Sequence, residues 1–128
     1  MNFLIRKPLF PIIVDTGTEL IGAKSWVACE RQLTTITFAD LAPRNVIDSS
    51  VEAFFLFPEH MVFSPLTLKK RWTKAAIISL YNSQKGPGRP AYPSKSLGSK
   101  SLEKVFGDIV ELLTAPRTAE GAAERKIE

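Results

Sequence analysis

The apolar positions change period about halfway along the chain. Up to Phe63 they come in short runs of strand length, and beyond Ser64 they recur at helical spacing. Residues 10–29 form two apolar runs around Asp15-Thr16-Gly17-Thr18. Gly17 accepts a positive φ without strain, so the pair is predicted to be a hairpin whose second apolar run carries Cys29 in a strand. Residues 32–40 alternate, with Thr34, Ile36 and Phe38 on one face and Thr35 and Thr37 on the other, the period of a half-buried strand. Residues 41–50, with Pro43 among them, are expected to be a loop. The aromatic run 51–57 predicts a strand buried on both faces, and residues 60–63 one returning beside it after the break at Pro58.

In the second half, Ser64-Pro65 matches an N-cap followed by a first-turn proline, and predicts a helix over 65–83. Its spacing puts Leu68, Trp72, Ala75, Ala76 and Ser79 on one face and Lys70, Arg71 and Lys74 opposite, with Tyr81 on the basic side. Residues 75–81 are apolar nearly all round, a pattern that fits a buried helix and a strand equally. From Leu102, the positions Val105, Phe106, Ile109, Val110 and Leu113 follow the helical repeat, with Ser99 or Ser101 to cap it and Glu103 at its positive end. Strands grouped before helices imply α+β: an antiparallel sheet from the N-terminal half packed against helices from the C-terminal half. One domain is expected over 1–114, with a flexible tail at 115–128, where few apolar groups remain to dock.

Charge changes this picture more than composition does. With 128 residues, 45% hydrophobic and 23% charged, the chain is of ordinary globular type. Residues 1–68 hold five basic and seven acidic side chains, a balance of −2. Residues 69–104 hold nine basic residues against Glu103 alone, a balance of +8, and residues 105–128 return to −2. The positive charge is therefore one block, which points to a polyanion, with nucleic acid as the leading partner. Lys70, Arg71, Lys74, Lys85, Arg89, Lys95 and Lys100 are the expected phosphate contacts, and Tyr81 and Tyr92 the expected stacking rings. The segment 84–100 carries Gly, Pro and Ser among these cations, as a loop that orders on a partner would. Within it, Gly88-Arg89-Pro90 resembles half of an AT-hook, the minor-groove Arg-Gly-Arg-Pro element. Pro87 stands where that element has its first arginine, so the paired groove contact does not carry over.

A second class of function is a protein-interaction module or homodimer that shares the apolar segments 75–81 or 54–57 with a partner chain. The third is enzymatic. Residues 12–18, an apolar strand followed by Asp15-Thr16-Gly17, resemble the active-site loop of aspartic proteases. That resemblance implies a homodimer in which two copies of Asp15 share a proton; as a plain turn, the same triplet has Asp15 bonding its own backbone. The single cysteine, Cys29, and single histidine, His60, make neither a disulfide nor a zinc cluster, and no metal or cofactor is expected. The basic residues near the start follow the first apolar run, and no stretch nears the roughly 20 apolar residues of a membrane span, so a soluble, cytoplasmic protein is expected.

Overall fold

The computed structural model describes residues 1–67, 71–93 and 96–115. Its elements run β1 (Asn2–Phe3), β2 (Ile12–Asp15), β3 (Leu20–Ala23), α1 (Trp26–Leu33), β4 (Arg44–Ile47), β5 (Ala53–Phe57), β6 (Val62–Ser64), α2 (Lys74–Gln84), α3 (Ser96–Ser99) and α4 (Leu102–Thr114). The strands form one six-stranded sheet in the order β1-β6-β5-β4-β2-β3. The C-terminal helices α2 and α4 pack against it, and the architecture is α+β.

Adjacent residues on the strands serve opposite faces, as the pleat requires. Ile13, Leu20, Ile47 and Ala53 meet Ile77, Ile78 and Tyr81 of α2 and Val105, Phe106, Ile109, Val110 and Leu113 of α4. Ile12, Val14, Ile21, Val46, Phe54, Leu56 and Phe63 form a second core with Cys29 and Leu33 of α1. Trp26 closes that second core, its ring 5.7 Å from Phe63, 6.0 Å from Phe3 and 6.1 Å from Phe10. Each fully buried side chain of this size contributes about 1.5–3 kcal/mol, so the two apolar layers dominate the stability.

The β2–β3 hairpin and the return of β6 beside β5 are as the pattern predicts. Gly17 takes φ +90° at the turn. Departures from the pattern have local causes. β1 runs parallel to β6, with Asn2 opposite Val62, so the sheet is mixed. No hairpin joins β1 to its neighbour, and nothing in the period of the sequence sets its direction.

The second apolar run bends into α1 instead of continuing as strand, because the Ser25 hydroxyl accepts the Ala28 N–H at 3.1 Å and starts a helix. Cys29 is thus helical and buried. Residues 34–40 form no strand. The Thr34 and Thr35 hydroxyls donate to the Arg31 and Gln32 carbonyls at 2.8 and 2.9 Å, which closes the helix end, while Ile36 and Phe38 pack on the second core.

Residues 44–47, expected to be loop, are a central strand. Buried Asp48 then turns the chain by accepting the N–H groups of Leu9, Ser50 and Glu52 at 3.2, 3.0 and 3.2 Å. In β5, Phe55 and Phe57 are half-buried rather than enclosed on both faces.

The helix expected over 65–83 begins only at Lys74. Trp72 is buried and donates its backbone N–H to Val51 at 2.9 Å, and Arg71 bridges to Glu52, so this part of the segment extends along the sheet. Thr73 supplies the cap, accepting the Ala76 N–H at 3.2 Å. Ala75 and Ser79 consequently face solvent, and Ile77, Ile78 and Tyr81 face the core. Residues 75–81 are helix, not strand. Ser101 caps α4. The expected tail, 115–128, lies outside the described residues apart from Ala115. Among the described residues, no helix is long and apolar enough to cross a membrane.

Candidate nucleic-acid interface

α2 and α4 lie side by side and run the same way. Near their N-terminal ends the Lys74 ammonium donates to the Lys100 carbonyl at 2.9 Å; near their C-terminal ends Arg89 donates to the Leu113 carbonyl at 3.2 Å. Two helix N-termini, each a partial positive charge, therefore come together with Lys74, Lys100 and Lys104. Exposed Arg71 stands three residues ahead of Lys74.

Asp108 organises the lysines. Its carboxylate accepts the Tyr92 hydroxyl at 2.6 Å, Lys100 at 3.1 Å and Lys104 at 3.1 Å. The Tyr92 hydroxyl first, then the two ammonium groups, lowers the Asp108 carboxyl from 3.8 to about 2. In return, the hydrogen bond to Asp108 raises Lys100 above its ordinary value. The Lys74 ammonium is positioned by its bond to the Lys100 carbonyl.

Lys85 and Arg89 sit at the far end of α2. Arg89 donates to the carbonyls of Lys85 and Leu113 at 3.3 and 3.2 Å, binding the crossover that leaves α2 (residues 85–93) to the C-terminal end of α4, where a cation suits the helix dipole. Gly88-Arg89-Pro90 is thereby held against its own chain. The two tyrosines are placed quite differently from stacking rings. Tyr81 is 0% exposed and donates to the Pro90 carbonyl at 2.7 Å; Tyr92 is 4% exposed. Tyr81 follows Ile77 and Ile78 by one helical turn and shares their core-facing side. Lys70 and Lys95 lie outside the described residues. Lys104 and Asp108 were not singled out from the sequence. Their signal was an i,i+4 acid–base pair on a helix, a common surface pattern.

Beside the lysines, a cavity of about 600 Å³ opens between the crossover and α4. Pro90, Pro93, Tyr92, Leu112 and Ala115 form its apolar wall, with Lys100, Asp108 and Glu111 at its polar side. On the other half of the sheet, Leu4, Leu41, Phe57 and Val62 line a groove of about 300 Å³ with Glu59 and His60 at its rim.

Asp15 is engaged in its own turn. One carboxylate oxygen accepts the Gly17 N–H at 2.9 Å and the other accepts the Gln84 amide at 3.1 Å, with the Arg44 guanidinium 3.7 Å away. Burial, and then the charge of Glu30, pushes the Cys29 thiol up to about 12, so it is held as the unreactive thiol. Among the described residues, no three His, Cys, Asp or Glu side chains are grouped to hold a metal ion. Compared with protein-family models, curated proteins and solved structures, the chain matches none.

Proposed function

We propose that this protein binds a polyanion, nucleic acid foremost, through the cations gathered at the N-terminal ends of α2 and α4. Lys74, Lys100 and Lys104 form the centre, and Arg71 extends it. Lys85 and Arg89 lie at the far end of the same helix pair and add positive potential there. The observation that carries this reading is the bond from the Lys74 ammonium to the Lys100 backbone carbonyl, which joins two basic positions 26 residues apart in the chain. Two helix N-termini reinforce them, and Asp108 offsets one charge while holding two ammonium groups in place.

The test is affinity for oligonucleotides against salt concentration. Each phosphate contact contributes about −0.9 to the slope of log K against log salt on duplex DNA. The triple variant Arg71→Gln/Lys74→Gln/Lys104→Gln is expected to flatten that slope by about 2–3 and to weaken binding to all sequences alike. Absence of binding at low salt, or indifference to the triple change, removes the proposal.

A second reading, a homodimer, rests on the 54–57 segment. Phe54 and Leu56 are spent in the chain's own core, but Phe57 opens onto the Leu4–Leu41–Val62 groove. Segment 75–81 does not support it equally, since Ile77, Ile78 and Tyr81 are buried within the same chain.

A further inference from the structure

We infer that the cavity between the crossover and α4 receives one unpaired nucleobase, so that the ligand of the lysine cluster is a single strand. This rests on the nucleic-acid reading above and goes one step past it. Lys100 is the shared member: it belongs to the lysine cluster and also lines the cavity. Phosphate and base are neighbouring parts of one nucleotide, and a cation beside an apolar recess matches both.

A volume of about 600 Å³ lies in the range of small-ligand clefts and leaves room for a flat ring. The proline faces, Leu112 and Ala115 offer the ring apolar surface. Asp108 and Glu111 supply carboxylate oxygens, which accept hydrogen bonds and donate none. Asp108 already accepts from Tyr92, Lys100 and Lys104, and Glu111 pairs with Lys24 at 2.9 Å, so a base edge bearing N–H donors shares these oxygens through their further lone pairs, whereas the carboxylates of an acidic peptide would be repelled. A duplex keeps its rings stacked inside and must flip one out, at a cost in binding, to reach the same recess.

The experiment is fluorescence anisotropy with a labelled mixed-sequence single strand, the duplex of that sequence and polyglutamate, at one low salt concentration. The protein is the full chain, as wild type and as Leu112→Trp. Wild type is expected to prefer the single strand by about tenfold, because a duplex must unpair and unstack a base to reach the recess. Leu112→Trp, which fills the recess, should erase that preference and leave duplex affinity unchanged. Because tryptophan is bulkier than leucine and strains α4, methyl NMR of the wild type is the companion measurement. The Ala91, Leu112 and Ala115 methyl signals should shift with the single strand and stay in place with the duplex. Equal affinity for strand and duplex, methyl signals unmoved by the strand, or polyglutamate binding as tightly as the strand each overturns the inference while the polyanion proposal stands. Failure of every polyanion to bind overturns both.

Discussion

Asp108 concentrates the chemistry of this molecule in a single side chain. Three donors converge on one carboxylate: a phenol from the crossover, an ammonium just before α4 and another on its first turn. Because its folded value, about 2, lies below the ordinary 3.8, Asp108 stabilises the fold fully above about pH 4, and that contribution is lost as pH falls toward 2. Asp108→Asn is therefore expected to lower the melting temperature at neutral pH and to flatten its acid limb between pH 4 and 2. An acid limb identical to wild type would show that the carboxylate is not held in this way. The cations were legible as a block in the sequence, and their organiser was not. A lone Asp on an amphipathic helix looks like any solvated charge until Tyr92, sixteen residues away, is folded against it. Tyr81 carries the opposite lesson: a start of α2 at Lys74 rather than near Pro65 leaves its ring among core residues.

At the level of elements, two glycines with different surroundings have opposite roles. Gly22 sits on β3 where α4 crosses, and a Cβ there would lie 3.0 Å from the Leu113 Cβ and 3.5 Å from the Val110 carbonyl. Gly107 on α4 has nothing within 4 Å of a Cβ, leaving out the helix's own backbone. Gly107→Ala is thus expected to stabilise the protein by about 0.5–1 kcal/mol through helix propensity. Gly22→Val should cost about 1–3 kcal/mol by forcing α4 off the sheet. Urea unfolding measures both, and equal signs for the two would contradict this packing. α4 itself was readable to within a residue, since its five buried positions repeat at helical spacing and Ser101 caps it. β4 was not, because only Val46 and Ile47 of its four residues are buried, too few to show a period. The threonines at 34 and 35 misled in the other direction, their hydroxyls donating to the Arg31 and Gln32 carbonyls at a helix end instead of standing on a sheet.

For the molecule as a whole, the sheet is unequally covered. α4 and α2 lie over the half that contains β3, β2 and β4, while Phe57 and Val62 remain half-buried and Leu4 and Leu41 are 50% and 65% exposed. Leu4 leads into a tight turn, with Ile5 at φ +64° and the Arg6 N–H on the Leu4 carbonyl at 2.6 Å, a strained geometry for a β-branched residue. If two copies meet on this half, sedimentation of the wild type at high concentration should show a dimer, and Phe57→Lys a monomer of unchanged fold. A wild type that stays monomeric throughout removes the dimer reading and leaves the lysine cluster untouched, since the two surfaces occupy different parts of the chain.

The sequence by itself determined the class, the helical repeat of α4 with its cap at Ser101, and a positive block of nine cations against one acid in residues 69–104. Those follow from period and composition, which are local quantities. Tertiary structure alone decided the parallel edge strand, the late start of α2, and the meeting of Lys74 with Lys100 across 26 residues. Such juxtapositions depend on which apolar face wins burial, and that competition is settled over the whole chain, so no window of neighbouring residues contains it.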